Sequence, residues 1–162
     1  MDELNAGATG ITSLDLSHCP FIRELWLGNS HIGSLDLSNN LYLCVVHCYN
    51  NGMSSLILPN TVTLTDLYAT DNEISTIDVS SNINLVRLYV CNNRMSELNV
   101  SGCTRLNLNN VTCGIQKDGQ KMTLSVNETQ YTQTLRGDCN DNVELVLASG
   151  DPGGSGSDMP WD

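Results

Sequence analysis

Apolar residues recur along this chain with a constant 21-residue period. The segments ITSLDLS, IGSLDLS, MSSLILP, ISTIDVS and MSELNVS begin at residues 11, 32, 53, 74 and 95. One apolar column in this register contains Met1, Ile22, Leu43, Leu64, Leu85 and Leu106, and another contains Ala6, Leu27, Cys48, Ala69, Val90 and Val111. A repeat of this regularity is typical of a solenoid, in which each unit buries its apolar face against the next. The pattern therefore predicts a stack of about five to six coils.

Each unit divides into two similar halves, the first longer than the second by one residue. The first half of one unit places apolar residues at Ile11, Leu14 and Leu16, and the second half places them at Ile22, Leu25 and Leu27. The alternation in each half predicts one short β-strand, because alternate residues of a strand face opposite sides of a sheet. We expect a mostly β architecture with two parallel ladders of short strands, centred on the Leu14-type and Leu25-type positions.

Polar residues occupy the turn that follows each expected strand. They form two series, Thr9, Ser30, Asn51, Asn72, Asn93 and Cys19, Asn40, Thr61, Asn82, Cys103. A tight turn inside a coil leaves backbone N–H and C=O groups away from water, and an inward asparagine can bond them. The two series are therefore predicted to be hydrogen-bonding ladders that support the turns.

These features resemble a known family. Both halves fit the leucine-rich repeat pattern L-x-x-L-x-L-x-x-N/C-x-L, and LSNN at 37–40, YNNG at 49–52 and CNNR at 91–94 carry the resemblance further. The chain is similar to bacterial surface leucine-rich repeat proteins with a 21-residue period, internalin-like in the broad sense. The resemblance implies a leucine-rich repeat solenoid and an extracellular or cell-surface location. It implies little about the ligand, because such solenoids serve many binding roles.

Charge narrows the range of partners. The 162 residues contain 7 Lys and Arg against 18 Asp and Glu, a net charge of −11. A nucleic acid is not expected as a partner, because its binding requires cations that neutralise phosphates. No apolar run reaches the length of a membrane-spanning helix, so direct membrane insertion is not expected either.

The outward positions of the Leu25-type strands carry the candidate site. The central outward row contains Asn5, Trp26, His47, Tyr68, Tyr89 and Asn110. The row before it contains Glu3, Glu24, Val45, Asp66, Arg87 and Leu108, and the row after it contains Gly7, Gly28, Tyr49, Thr70, Cys91 and Thr112. Exposed Tyr and Trp side chains are favoured in recognition surfaces. We expect ligand binding at Trp26, His47, Tyr49, Tyr68, Tyr89, Glu24, Asp66 and Arg87.

Two alternatives stay open for this row. It recognises a partner, with a protein or peptide preferred over a glycan, or its rings stack on one another and the chain is a structural spacer in a larger surface protein. Catalysis is not expected: His47 beside Glu24 or Asp66 offers a base, but no nucleophile or oxyanion donor accompanies it. No cofactor is expected.

Two other groups of side chains suggest metal binding, and neither is expected to bind one. In LCVVHCYNNG at 43–52, His47 is expected to point outward and Cys48 inward, so they do not converge. The Leu14-type strands present a row of Asp15, Asp36, Ile57, Asp78 and Asn99. Ile57 interrupts this row, and a solvated acidic face with local Asp–backbone bonds is preferred over a calcium site.

The repeat decays after Leu106. IQKDGQKMTLSV at 115–126 suggests two strands around a Lys-Asp-Gly turn, and NVELVL at 142–147 suggests a third strand. We expect residues 1–114 to form the solenoid, residues 115–148 a C-terminal β-hairpin cap, and residues 149–162 a flexible acidic tail or linker. Met1 already lies in an apolar column, so the chain is expected either to be part of a longer, secreted protein or to have an unusually bare first coil. Cys113 and Cys139 are the one pair considered for a disulfide.

Overall fold

The computed structural model describes residues 2–114, 116, 117, 119, 121–133 and 142–148. These residues form a mostly β solenoid of about six turns, as the repeat predicted. Its strands are short: β1 Glu3–Asn5, β2 Glu24–Trp26, β3 Ser34–Asp36, β4 Val45–His47, β5 Ser55–Ile57, β6 Asp66–Tyr68, β7 Arg87–Tyr89, β8 Glu97–Asn99, β9 Val111–Thr112, β10 Met122–Val126 and β11 Val143–Leu147. One 3₁₀ turn spans Leu108–Asn110, and one short helix, α1, spans Glu128–Tyr131.

The two predicted ladders are both present, and all their strand pairs are parallel. The first is a six-stranded sheet in the order β1-β2-β4-β6-β7-β9. The second is divided into a pair, β3-β5, and a three-stranded sheet, β11-β10-β8. The break falls at residues 76–78, which occupy the position of a strand but make no ladder pairing. Between the ladders lies one apolar core, in which Leu25, Val46, Leu67 and Leu88 are fully buried.

The repeat register changes at the 3₁₀ turn. Leu88 pairs with Val111 and Tyr89 with Thr112, whereas the preceding strands pair at one exact period, as Leu67 does with Leu88. The turn adds two residues to this coil, and the Asn107 side chain accepts a hydrogen bond from the Asn109 N–H at its start. Two sequence predictions are therefore wrong. Val111 was expected in the column of Val90 and instead continues that of Leu88, and Thr112, in place of Asn110, continues the outward row.

The C-terminal segment continues the second ladder. β10 pairs in parallel with β8, through Leu124 and Leu98, and with β11, through Leu124 and Leu145. A hairpin requires antiparallel strands, so the expected hairpin is wrong for the part of 115–148 that is described. The original period returns between β10 and β11. The role of this segment as a cap and the domain boundaries stay predictions.

Three other predictions fall outside the described residues. They concern Cys139 as a partner of Cys113, the turn residue Asp118 and the tail at 149–162.

The asparagine ladders carry out the predicted hydrogen bonding. The buried side chain of Asn72 donates to three backbone carbonyl groups at 3.0 to 3.2 Å, and its Oδ1 accepts two backbone N–H groups. Asn51 and Asn93 donate in the same way. Gln116 takes the next place in this ladder, displaced by the same insertion, and its Oε1 accepts the Met95 N–H at 3.0 Å.

The second turn is supported by a parallel set of amides. Asn40 donates to the carbonyl groups of Leu16 and Cys19 at 3.0 and 2.9 Å. Beyond Cys103 this ladder is continued by Gln130, whose buried amide donates to the Cys103 carbonyl at 2.9 Å. A capping box between Asn127 and Gln130 begins α1 and holds that amide in place. Where the 21-residue period ends, Gln130 therefore takes the place of the asparagine, and it lies 27 residues after Cys103.

Candidate functional site

The outward row of the six-stranded sheet is a continuous stack of rings. Trp26, His47, Tyr68 and Tyr89 lie at the last residues of β2, β4, β6 and β7, which are paired in register. Their ring centroids are separated by 3.9, 4.1 and 4.9 Å, with interplanar angles of 9°, 7° and 8°. Neighbouring strands of a sheet lie about 4.8 Å apart, so flat side chains at matching positions can meet face to face. All four side chains are half-buried.

Tyr49 extends this stack towards the adjacent row. Its ring meets the His47 ring edge-on, with centroids 6.3 Å apart and an interplanar angle of 80°. The ring also lies directly over Gly28, where an added Cβ would come 2.4 Å from Tyr49 Cζ. Glycine at this position therefore makes room for the ring of the next coil.

Charged residues flank the stack on its other side. Asp66 is buried, and its carboxylate accepts hydrogen bonds from Arg87 Nη1 at 2.5 Å and from the Thr65 hydroxyl at 2.7 Å. Arg87 itself is exposed, and a hydrogen bond with Tyr68, followed by the charge of Asp66, raises its pKa. The Asp66 charge is thus compensated, while Glu24 makes no ion pair among the described residues.

His47 is neutral over a wider pH range than a free histidine. Burial between its neighbours lowers its pKa, and the charges of Asp66 and Glu24 oppose that effect. Because an uncharged imidazole has a flat apolar face on each side, it fits between Trp26 and Tyr68 as a third aromatic ring would.

Unpaired polar atoms lie at the two ends of the stack. The indole Nε1 of Trp26 and the Thr112 hydroxyl are buried and have no hydrogen-bond partner among the described residues. Thr112 pairs with Tyr89 across β7 and β9, so it borders the last ring. The repeat pattern predicted Thr112 in the adjacent row, because the pattern contains no sign of the two-residue insertion at the 3₁₀ turn.

The structure brings all eight candidate residues onto one surface. Trp26, His47, Tyr68 and Tyr89 form the stack, Tyr49 contacts His47, and Arg87 bonds Asp66. Glu24 lies close enough to influence His47 electrostatically. We call this surface the aromatic face. Thr65 belongs to it through its bond to Asp66, and no sequence feature pointed to it.

The acidic row on the other ladder forms local turns. Asp15, Asp36, Asp78 and Asn99 each accept the backbone N–H of the serine two residues later, at 2.9 to 3.0 Å. At the interruption both partners change together: Ile57 offers no acceptor, and Pro59 has no N–H to donate. Hydrogen bonds from Ser38 lower the pKa of Asp36, which keeps this carboxylate ionised.

The stretch LCVVHCYNNG separates its soft ligands as the strand alternation predicted. Cys48 is fully buried in the core, and burial raises the pKa of its thiol to about 12. His47, the last residue of β4, lies on the aromatic face, so its side chain and that of Cys48 point to opposite sides of the chain. Within the described part of the chain, no group of three or more His, Cys, Asp or Glu side chains could hold a metal ion.

Comparisons with known proteins add a structural neighbour. The chain is similar to the functional domain of InlJ from Listeria monocytogenes, described as including a cysteine ladder, with 23% sequence identity and a TM-score of 0.63. The match covers 78% of this chain and 27% of the neighbour. The fold is an internalin-like leucine-rich repeat solenoid. No family model matches the chain, and no curated protein matches its sequence.

The cysteines of this leucine-rich repeat solenoid are distributed differently from a continuous ladder. At its second turn position, Cys19 and Cys103 are separated by Asn40, Thr61 and Asn82. Cys103 Sγ lies 3.7 Å from the Val79 carbonyl oxygen, a contact equivalent to the bond that Asn40 makes to Leu16. The thiol therefore substitutes for an amide at this turn.

None of the described helices is long and apolar enough to span a lipid bilayer.

Proposed function

We propose that this chain is a non-catalytic binding module of a secreted or cell-surface protein, and that it recognises its partner through the aromatic face. The observation that carries the proposal is the half-buried stack of Trp26, His47, Tyr68 and Tyr89 on one side of the six-stranded sheet. The likeness to the InlJ domain supports the fold on which the proposal rests. Aromatic side chains that keep part of their surface in water are favoured sites of protein recognition.

The orientation of the rings favours a polypeptide partner over a glycan. Each inner ring of the stack has both faces covered by its neighbours, because the rings are nearly parallel and 3.9 to 4.9 Å apart. A sugar that packs on an aromatic residue needs a free ring face, whereas ring edges carry a partial positive charge. Backbone carbonyl groups and apolar side chains of a peptide suit such edges. The stack spans three strand spacings, about 14 Å, which matches a short extended segment.

The second candidate function is that of a structural spacer. It is favoured by the same ring geometry, because face-to-face stacking between adjacent coils stabilises a solenoid without any ligand. The two functions differ in their sensitivity to polar groups on the ring edges. Removal of a tyrosine hydroxyl leaves stacking in place, but it changes the surface that a partner meets.

The experiment uses immobilised protein, a displayed library of short linear peptides and an array of glycans. Ligands selected on the natural chain are retested on Trp26→Ala combined with Tyr68→Ala, and on the milder variant Tyr68→Phe with Tyr89→Phe. Tyr42→Phe is the matched control, since Tyr42 is exposed and its ring contacts Phe21 outside the aromatic face. Unfolding curves show whether each variant keeps the fold.

We expect peptides whose binding weakens in both aromatic-face variants and is unchanged in Tyr42→Phe. Selected ligands that all bind equally to Trp26→Ala with Tyr68→Ala would rule out the aromatic face as the binding surface. Glycans that lose binding in these variants would retain the face and correct the partner. A chain that selects no ligand of either kind, and whose variants lose only stability, would support the spacer.

A further inference from the structure

A second surface of the solenoid lies where each coil passes from the second ladder back to the six-stranded sheet. Its first four connections are residues 18–22, 39–43, 60–64 and 81–85, and we call these four the neutral edge; the fifth, 102–106, contains Arg105 and is not part of it. These connections contain no Asp, Glu, Lys or Arg, although the chain has a net charge of −11. The opposite edge carries charged groups instead, where Glu73 binds both Arg94 and Lys117.

Large apolar side chains project from the neutral edge into solvent. They are Phe21, Leu41, Tyr42, Val62 and Ile83, with exposed fractions of 66%, 49%, 54%, 52% and 42%. The buried core does not require apolar residues at these exposed turn positions, and a later coil has Thr104 at the position equivalent to Leu41, Val62 and Ile83. Five such residues on one edge therefore require an explanation other than folding.

The five side chains form one strip. The rings of Phe21 and Tyr42 contact each other with centroids 5.5 Å apart. The Leu41 carbonyl accepts the Thr61 hydroxyl of the next coil at 2.8 Å, and the Val62 carbonyl accepts the Asn84 amide of the coil after that at 2.9 Å. These bonds hold successive turns side by side. The positions of the strip residues are thus held by hydrogen bonds from side chains of one coil to the backbone of the preceding coil.

The strip is large enough for a weak, reversible interface. Five large side chains that each expose roughly half their surface amount to about 500 Å², the upper part of the range of patches that monomers expose. Two such strips in contact would bury about 1,000 Å² before any polar rim is counted, near the lower limit for specific association.

We propose that the neutral edge is an interface between two copies of this chain, related by a twofold axis. Two copies each carry a charge of −11, so most of their surfaces repel. The neutral edge lets them approach without bringing carboxylates together. The strip also suits pairing with itself, because its residues repeat at the coil spacing and a twofold axis makes equal spacings coincide. A cationic partner would instead be drawn to the acidic surfaces, which the strip avoids.

Sedimentation equilibrium over a micromolar to millimolar range tests this interface. We expect a reversible monomer–dimer equilibrium whose dissociation constant rises by a factor of at least ~10 in Leu41→Asp combined with Val62→Asp, because the interface would then enclose unpaired charges. The matched control is Asn29→Asp combined with Thr12→Asp, which adds the same charge at exposed positions away from the strip. Asp71 already occupies the turn position equivalent to Asn29, so this control keeps the fold.

Methyl NMR supplies an independent readout on the natural chain. Signals of Leu41, Val62 and Ile83 are expected to shift with protein concentration, while those of buried Leu67 and Leu88 stay constant. A chain that remains monomeric at millimolar concentration overturns the proposal. So does a dimer that forms equally well in Leu41→Asp with Val62→Asp. Binding of a monomeric chain to phosphatidylcholine vesicles through these residues would assign the strip to a lipid surface instead and would equally reject the dimer.

Discussion

Replacement of Asn72 by alanine tests whether the amide ladder supports the turns. In the folded chain, Asn72 Nδ2 donates to the carbonyl groups of Cys48, Ala69 and Thr70 at 3.0, 3.1 and 3.2 Å. Its Oδ1 accepts the N–H groups of Asn51 and Met53 at 3.1 and 3.0 Å. The side chain is fully buried, so water does not replace these bonds in the variant.

The expected loss in free energy of unfolding depends on how many backbone groups have no other hydrogen-bond partner in the variant. Each of the three carbonyl groups keeps a second donor in the variant. Asn51 Nδ2 bonds to the Cys48 carbonyl and Asn93 Nδ2 bonds to that of Ala69. The Asn50 N–H bonds to that of Thr70. The two N–H groups of Asn51 and Met53 have no second acceptor among the described residues. Leaving a buried donor unpaired costs about 1–3 kcal/mol. Asn72→Ala should therefore reduce the free energy of unfolding by about 2–6 kcal/mol, a large part of the 5–15 kcal/mol typical of a domain.

The assay is urea unfolding followed by far-UV circular dichroism, compared with Asn39→Ala. Asn39 is exposed, and a surface change of this kind is expected to stay within about 0.5 kcal/mol. Because repeats can unfold separately, amide hydrogen exchange at Asn51 and Met53 should accompany the equilibrium measurement. Both amides are expected to lose protection in Asn72→Ala.

Either of two results would refute this reasoning. The first is a loss of less than about 1 kcal/mol in Asn72→Ala, which is smaller than the cost of a single unpaired donor. The second is unchanged protection at Asn51 and Met53, which would mean that other groups satisfy these amides.

Three further predictions follow from the site and the core. The pKa of His47 is lower in the folded chain than its ordinary value of 6.5. As the pH falls through 6.5, the unfolded chain therefore takes up the proton before the folded chain does. The free energy of unfolding should decrease from that pH down to the pKa of the folded chain. Unfolding measured against pH should show this loss in the natural chain and less of it in His47→Phe, which keeps a ring in the stack; equal slopes would contradict it. Gly28→Ala should cost about 1–3 kcal/mol by displacing the Tyr49 ring, and urea unfolding should show little cost in a Tyr49→Ser background. Iodoacetamide followed by peptide mass mapping should modify exposed Cys19 at least ~10² times faster than buried Cys48, and comparable rates would show that the core opens readily.

Much of the candidate site could be predicted because it repeats. Trp26, His47, Tyr68 and Tyr89 follow one another at the repeat period, so any parallel pairing of equivalent strands places them in one row. Spacing alone left open how the rings are oriented. The nearly parallel orientation of the rings depends on how closely neighbouring coils pack, which the spacing of residues along the chain does not specify.

The end of the repeat was predicted less well, because the register there depends on the closing of individual coils. A two-residue insertion at Leu108–Asn110 keeps Val111 against Leu88 and sets Thr112 beside Tyr89. The Lys-Asp-Gly sequence suggested a hairpin, since such turns are common between antiparallel strands. Stacking on β8 favoured the parallel arrangement instead, which extends the core by one more ladder position through Leu124.

The sequence by itself determined the solenoid, its apolar columns, its amide ladders and the row of aromatic residues, because each of these is a local choice repeated at a constant period. Only the tertiary structure decided which residues end the row, how Gln116 and Gln130 replace missing asparagines, and that five exposed side chains join into one strip. These features arise where coils meet. Their contacts depend on the path of the chain in space, which a periodic pattern constrains only while the period lasts.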